Sequence, residues 1–502
     1  VKTRFKTVSE ARARGHVKEG RILQYRAALA LLVLNVTAMS PVCLPGAEVF
    51  DCVIFGGRVM DPETGLDAVR TVGIHRGVIA AVSETMLEGR ETIDATGLVV
   101  APGFIDLHQH AMDEESLRLR ARDGVTSVLE LEVGTADVER WYAERGGKSL
   151  LHHGVAVGHI PVRMKVMGDF PAFLPKSDSR AATFEASAVQ LERIQQGLTR
   201  GLEAGAVAVG FGLGYTPAAT DHEIRTMFGV AASFRASCHV HLQGRRQDAV
   251  ESARELAAIS AATGAPLHIV HLQATAVTST PEMLRLVEES QAAGLDVSAE
   301  VYPWTAGMTE IQSALFGEGW EKRYGVGYGD LQWGATGERL TTESFQRYRK
   351  TGGLVIVHVN TESTVAQAVA HPLTMIASDG LPGHPRNAGT CARVLGHYAR
   401  EQGSPDLMTA LKKLSLMPAQ RLEGRVPAMK QKGRVRQGCD ADLVLFDAAT
   451  VGARATYDDP VLPSAGIPWV LVSGQAVVRD GRLVEDALPG QAIRAPSDPG
   501  GQ

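Results

Sequence analysis

Ala101-Pro-Gly-Phe-Ile-Asp-Leu-His-Gln-His110 carries the clearest chemical signal in the chain. The apolar run Leu98-Val-Val100 leads through Pro102-Gly103 into Phe104-Ile-Asp-Leu107, and two histidines follow one residue apart. Residues i and i+2 of a strand project to the same side, so His108 and His110 aim two imidazoles at one point just past a strand end. A His-x-His pair alone is weak evidence, because histidines often stand near one another facing solvent. Weight comes from partners further on: His239, His271 and Asp379 each close a short β-like run. Such residues at successive strand ends, in an order that suits a parallel barrel, read as a metal site.

Outward from that stretch, the middle of the chain alternates short apolar runs with helical segments. Candidate strands are Ile105–Gln109, Val125–Leu131, Gly154–Ile160, Ala206–Phe211, Ser237–His241, Leu267–His271, Asp296–Val301 and Leu373–Ser378. Amphipathic segments such as Asp248–Thr263 and Pro281–Gly294 lie between them. Strand–helix alternation repeated about eight times predicts an α/β (β/α)8 TIM barrel, whose chemistry gathers at the carboxyl ends of its strands. Thr305–Gly353 interrupts the pattern. It is rich in Gly, Trp and Tyr and lacks periodicity, so it reads as a long loop, either a lid or disordered, with its aromatics favouring the lid. The apolar run Leu354-Val-Ile-Val-His-Val359 follows it.

Both ends of the chain have another texture. From Val49 to Ile93 come short alternating runs broken by turns: Cys52-Val-Ile-Phe55, Arg58-Val-Met60 and Val72-Gly-Ile74. The same style returns in Gly433-Arg-Val435, Ala441–Asp447 and Val470–Val478. This is small antiparallel β structure, and the two segments predict one small β-sandwich assembled from both ends. The expected organisation is a leader (1–47), the amino-terminal half of the sandwich (48–104), the barrel (105–424, with the insertion 305–353), the carboxy-terminal half of the sandwich (425–490) and a tail (491–502).

A length of 502 residues, a net charge of −5, 21% charged and 5% aromatic residues describe a globular chain with material for a large core. No basic stripe or aromatic–basic interleaving points to nucleic acid, and a small molecule is the expected partner. The five cysteines, Cys43, Cys52, Cys238, Cys391 and Cys439, form neither a Cys-x-x-Cys pair nor a disulfide framework. The first 26 residues are rich in Lys and Arg, and Ala27–Met39 is apolar and of signal-peptide length. That pattern suggests export to the periplasm or secretion, with cytoplasmic residence as the alternative. Nothing else resembles a transmembrane segment.

Zinc accepts imidazole nitrogen and carboxylate oxygen, and a catalytic site keeps one position for water. The metal acidifies that water and a nearby carboxylate accepts its proton. His239, in Cys238-His-Val-His241, and His271, in Ile269-Val-His-Leu272, end two successive strands, and Asp379 ends Ile376-Ala-Ser-Asp-Gly380. Glu130 and Glu132 share a face in Val128-Leu-Glu-Leu-Glu132, an odd place for two carboxylates if that face were barrel core. His241 reads equally as a ligand, a substrate contact or a barrel-mouth residue. His268 and His358 read as packed structural histidines, His152 and His153 as solvated loop residues, and His159 as either structural or substrate-facing.

With these residues in view, the chain resembles the metal-dependent amidohydrolase superfamily, and within it the D-aminoacylases (N-acyl-D-amino-acid deacylases). The resemblance runs from about Asp51 to Val484. It rests on Ala101–His110, Val157-Gly-His159 with Arg163 and Val166-Met-Gly168, Arg180–Thr183, Glu203–Ala206 with Gly212–Pro217, Glu300-Val-Tyr-Pro-Trp-Thr-Ala-Gly307, Ser378–Gly380 with His384-Pro-Arg386 and Gly389-Thr390, and Ala441–Asp447. It implies one or two zinc ions at the barrel mouth, held by His108, His110, Glu132, His239, His271 and Asp379, and hydrolysis of an N-acyl bond. Asp379 would take a proton from the attacking water and return it to the leaving nitrogen, with Arg386, Tyr302, His241, Gln273 and His159 about the substrate.

Three positions depart from the family pattern. A metal-binding cysteine at the end of the second strand is replaced by Val133, which cannot bind, so Glu132 is expected in its role, with Glu130 as the alternative. His-x-Arg reads as His239-Val-His241, and His-Leu-Lys as His271-Leu-Gln273. The last two remove cations expected near a substrate carboxylate, leaving Arg386, with Arg163 and Lys165 as further candidates. The alternatives are a cyclic amidase of dihydroorotase or hydantoinase type, which often carries a carboxylated lysine that Ala206–Phe211 lacks, and a non-catalytic scaffold on the same fold.

Overall fold

The computed structural model describes residues 49–497. The expected leader and the last residues of the expected tail lie outside them. Eight strands follow one another in chain order around a single parallel sheet: β1 (Phe104–Asp106), β2 (Val125–Thr135), β3 (His152–Gly158), β4 (Val209–Gly212), β5 (Cys238–His241), β6 (Leu267–Ile269), β7 (Val297–Val301) and β8 (Thr374–Ile376). Each overlaps one of the eight expected runs. Backbone bonds between the segments that follow β1 and β8 bring the two edges together: Gly380 N–H donates to His108 O (3.3 Å) and His110 N–H to Gly380 O (3.2 Å).

A buried clasp fixes that seam. Asp106 Oδ1 accepts from the amides of His108 (3.1 Å) and Ser378 (3.0 Å), while its Oδ2 accepts from Ser378 Oγ (2.5 Å) and Arg120 Nη2 (2.9 Å). A carboxylate taken from water survives only when its lone pairs are satisfied in this way. The result is that the chain just before His108 and the chain just before Asp379 are pinned to the same atoms. Gly380 lacks a side chain where one would collide with Gln109 Oε1 at 2.2 Å, which lets the two segments close.

The helices bury one stripe each against the barrel. Ala188–Glu203 starts at a reciprocal Ser187/Gln190 capping box and buries Ile194, Leu198, Gly201 and Leu202. Gly201 is required there, since a Cβ would sit 2.3 Å from Val157 of β3. Gln247–Thr263 ends at Gly264 in the left-handed conformation (φ 77°), whose amide caps Ser260 O.

The chain ends pair into one nine-stranded, mostly antiparallel sheet around its own apolar cluster, which includes Ile54, Val72, Ile74, Val100, Leu443 and Leu471. Three details differ from expectation. Cys52–Phe55 and Arg58–Met60 are one strand, Phe50–Asp61, bulged between Ile54 and Gly57. Val470–Val478 is a hairpin of Trp469–Val472 and Gln475–Arg479. Gly433–Val435 forms no strand, because the Val435 amide is taken by the Asp61 side chain (3.1 Å).

The insertion is folded, not a long loop. Ala306–Glu310, Leu331–Trp333 and Leu354–His358 make a three-stranded antiparallel sheet with Leu354–His358 at its centre. Phe316, Trp320, Tyr324, Trp333 and Phe345 are among the residues that give it a core of its own. Among the described residues no helix is long and apolar enough to cross a membrane.

Candidate metal centre

His108 and His110 follow β1, β2 delivers Glu130 and Glu132, and β5 delivers His241; His271 follows β6 and Asp379 follows β8. Two groups of ligand-type side chains form, each with its atoms within 4.8 Å of one another: His108, His110, Glu132 and Asp379, and Glu132, His241 and His271. Glu132 is shared. Its Oε2 lies 2.6 Å from His108 Nε2 and 3.6 Å from both His110 Nε2 and His271 Nε2, and its Oε1 lies 3.1 Å from His241 Nδ1. Asp379 Oδ1 stands 3.2 Å from His110 Nε2. His271 (φ 33°) and Asp379 (φ 51°) hold left-handed backbone, a strained conformation for non-glycine residues that places both side chains at the cluster.

A second layer orients the first. His108 Nδ1 lies 2.5 Å from Glu300 Oε1, and His110 Nδ1 lies 2.5 Å from Glu130 Oε2. Glu300 also reaches His268 Nε2 (3.1 Å), and Glu130 also accepts from the Val133 amide (3.0 Å). An imidazole that donates Nδ1–H to a carboxylate presents a bare lone pair at Nε2. The Nε2 atoms of His108 and His110 are 3.0 Å apart, as are His241 Nδ1 and His271 Nε2. Lone pairs so close to one another and to carboxylate oxygens repel unless positive charge is shared among them. Burial alone would make His108 harder to protonate, yet Asp379, Glu300 and Glu132 outweigh it and push its pKa up to about 10. Glu132 tells the same story from the other side: burial opposes its ionisation, but His108 and His241 hold its carboxyl well below the usual range. Four buried carboxylates meet one guanidinium, Arg386, whose Nη1 lies 2.8 Å from Asp379 Oδ2. The donor set and its charge deficit fit a divalent cation.

The structure separates the expected site residues. His108, His110, Glu132, His241, His271 and Asp379 come together. His239 does not join them: it points into the barrel one layer below His241, bonds Ser237 Oγ through Nε2 (3.0 Å) and packs on His268. Both histidines of Cys238-His-Val-His241 face inward, as a period of two demands, and only His241 is high enough to reach the mouth. Glu130 sits behind His110, not beside Glu132.

His159 is fully buried against Glu223 (2.7 Å), which also takes Arg163 Nε (2.8 Å), so neither faces the site. Lys165 lies in an outer groove beside Arg193 and Arg200. Gln273 is turned away, donating to Tyr302 O (2.8 Å). Tyr302 does line the cavity, with its hydroxyl unpartnered and Arg386 over its ring at 4.8 Å. Arg386 is buried on Asp379, so its charge is already engaged. His152 and His153, expected in solvent, are buried.

Above the cluster opens a cavity lined by His110, Glu132, His241, His271, Tyr302 and Asp379 at its base. Tyr215, Phe173, Met308, Leu315, Tyr324 and Val357 form its walls, so the insertion closes one side. Two contributors went unnoticed in the sequence. Glu300 stands as a carboxylate within the apolar strand Val297–Val301, the same signal that singled out Glu130 and Glu132. Arg245, which also lines the cavity, follows β5 in a loop at the catalytic end of the barrel, where position alone is the signal.

Compared with known proteins, the sequence matches the amidohydrolase family over residues 91–478. It is 30% identical over 483 residues to an N-acyl-D-glutamate deacylase of Alcaligenes xylosoxydans xylosoxydans, covering 86% of this chain and 94% of that one. A D-aminoacylase of the same organism is 29% identical over 501 residues, with 89% and 97% covered. The crystal structure of N-acyl-D-glutamate deacylase from Bordetella bronchiseptica, complexed with zinc and a phosphonate inhibitor, superposes with a TM-score of 0.78 at 27% identity, covering 89% of this chain and all of that one.

Proposed function

The chain belongs to the amidohydrolase family, and within it to the D-aminoacylases, and from that premise we propose that it is a zinc-dependent deacylase of N-acyl amino acids. The observation that carries the reading is the pair of imidazoles, each with Nδ1 on a buried carboxylate and Nε2 turned to the shared Glu132. His108, His110, Glu132 and Asp379 would hold one zinc, and Glu132, His241 and His271 a second. Bound zinc supplies Lewis acidity, which polarises an acyl carbonyl and eases the deprotonation of water.

The protein's own groups do the rest. Asp379 aims Oδ1 at the cluster while Arg386 holds Oδ2. Burial opposes its ionisation, but Arg386 and His108 keep the carboxyl below its usual range, at about 2, so it rests as the anion that a proton acceptor must be. Asp379 takes a proton from the attacking water and later delivers it to the departing nitrogen. Tyr302 offers its free hydroxyl to the substrate from the cavity floor. Gly307, Met308 and Thr309 of the insertion bring backbone to the opposite wall, where they limit water around the acyl group.

The test is a hydrolysis screen over N-acyl D- and L-amino acids, their carboxamides and small cyclic amides, run with added zinc and paired with metal analysis. Deacylation of N-acyl amino acids that a chelator abolishes and zinc restores is the expected result. Protein that binds no divalent metal and cleaves none of them would be a scaffold. Export, suggested by the basic and then apolar residues before 48, is a separate proposal, tested by whether the tagged protein fractionates with the periplasm.

A further inference from the structure

We infer that Arg245 is the cation that receives a carboxylate of the substrate, and hence that it sets the preference for anionic N-acyl amino acids; this rests on the deacylase reading above. A substrate anion brought into a largely buried cavity needs a partner, because an unpaired buried charge is costly. Arg386, Arg163 and Lys165 were the candidates from the sequence, and none of them lines the cavity. Arg386 is buried against Asp379 Oδ2 at 2.8 Å, Arg163 is paired with Glu223, and Lys165 lies in a groove beside Arg193 and Arg200.

Arg245 lines the same cavity as His241, His271 and Tyr302. Its Nη1 donates to Ala274 O (2.5 Å) and its Nη2 to Tyr324 OH (3.0 Å), and its guanidinium lies 4.3 Å from the centroid of the Tyr324 ring. All of these partners are neutral. No Asp or Glu oxygen among the described residues lies within 4.0 Å of it, whereas Arg163 and Arg386 each have one. The fork is therefore held in place at the cavity wall with no carboxylate paired to it, and a guanidinium pairs with carboxylate in two parallel bonds.

Neighbouring residues fix the arginine further. Arg246, with φ 54°, turns the other way and donates to Tyr324 O (3.2 Å). Gly325 leaves room for it, since a Cβ there would meet Arg246 Nη2 at 2.1 Å. The two arginines thus grip the insertion residue Tyr324 by its hydroxyl and its carbonyl, and only Arg245 turns its charge to the cavity. The rival explanation is that Arg245 is simply a strut between the β5 loop and the insertion.

The experiment compares N-acetylglutamate, N-acetylglutamine and N-acetylisoglutamine in wild type, Arg245→Gln and Arg245→Lys, each loaded with zinc. These substrates carry both carboxylates, only the α-carboxylate, and only the side-chain carboxylate. The expected result is a KM raised about 10- to 100-fold in Arg245→Gln, the usual worth of a charge-assisted hydrogen bond, with kcat little changed and Arg245→Lys intermediate. If N-acetylglutamate and N-acetylglutamine suffer while N-acetylisoglutamine is spared, the bound group is the α-carboxylate; if N-acetylglutamate and N-acetylisoglutamine suffer while N-acetylglutamine is spared, it is the side chain. Equal loss on all three, or no loss on any, overturns the assignment and leaves the deacylase reading standing. A wild type that hydrolyses none of them, while the wider screen finds another N-acyl amino acid cleaved, overturns the preference assigned to Arg245 and leaves the deacylase reading standing; inactivity throughout that screen removes both.

Discussion

Glu132 reaches His108, His110 and His271 through one oxygen and His241 through the other, so its replacement by alanine takes a ligand from both groups at once. We expect Glu132→Ala to lose most of its bound zinc on dialysis and, with it, turnover. Glu130→Ala and Glu300→Gln remove only the partner of a ligand's far nitrogen, which costs about 10- to 100-fold in metal affinity, and excess zinc should restore their activity. Zinc content measured side by side separates the two classes; a Glu132→Ala protein that keeps its metal would remove Glu132 from the ligand set. Asp379→Asn preserves size and a metal-facing oxygen but takes no proton. Its kcat should fall by a factor on the order of 10² or more with zinc largely retained, and near-normal turnover would exclude Asp379 as the acceptor. At this scale the sequence was legible by residue type and face, not by depth. A strand's period of two puts His239 and His241 on one face, but which of them clears the barrel rim depends on where β5 ends against β4 and β6. Gln273 and Arg386 make the same point: a hydrogen bond to Tyr302 O turns the one, and an ion pair with Asp379 holds the other, and neither contact follows from residue type alone.

The insertion gives the element scale its own test. Phe345 is buried and stacks on Trp320 at 5.2 Å between ring centroids, with Phe316 and Tyr328 edge-on. Truncating such a side chain costs about 3 to 5 kcal/mol, more than a unit this small is expected to spare. Phe345→Ala should loosen the insertion while the barrel stays folded: cleavage by a dilute protease would concentrate between 305 and 359, and KM would rise because Tyr324 and Val357 lose their places in the cavity wall. Co-operative loss of the whole fold, with no early cleavage there, would show that the insertion has no stability of its own. That the insertion's fold was illegible in the sequence has a physical cause. Ala306–Glu310 pairs with Leu354–His358 across more than forty residues of turns and short helices, and no local periodicity announces such a pairing. The barrel strands were legible because each is a buried apolar run bounded by an amphipathic helix, the pattern that parallel sheets impose.

At the scale of the whole molecule, the terminal sheet and the barrel are joined through charges that the sequence did not reveal. Asp442, one residue before the sheet strand Leu443–Phe446, accepts from His152 Nε2 at the start of β3 (2.9 Å), from Lys432 Nζ (2.6 Å) and from the Ser473 amide (2.8 Å). Lys432 also reaches Asp440 (2.9 Å). Burial by itself would raise the Asp442 carboxyl, but His152 and Lys432 outweigh it and hold it well below its ordinary 3.8; Lys432, whose burial works against its charge, is nevertheless held above its ordinary 10.5 by Asp442 and Asp440. The signs then follow. Asp442 has a depressed folded pKa, so its contribution is complete above pH 3.8 and fades as pH falls below that value towards the folded one. Lys432 has a raised folded pKa, so its contribution is complete below 10.5 and fades as pH climbs through the folded value. Asp442→Asn leaves Lys432 and His152 facing a neutral amide, and breaking a buried pair from one side costs about 3 to 5 kcal/mol. The urea midpoint of Asp442→Asn should therefore lie well below wild type from about pH 5 to about pH 9. The gap should narrow under more acid conditions, with chelator present throughout so that metal release does not enter. A gap that stays constant below pH 3.8, or no gap at neutral pH, would mean that the sheet and barrel are held by apolar contact alone and that this buried carboxylate carries no net stabilising charge.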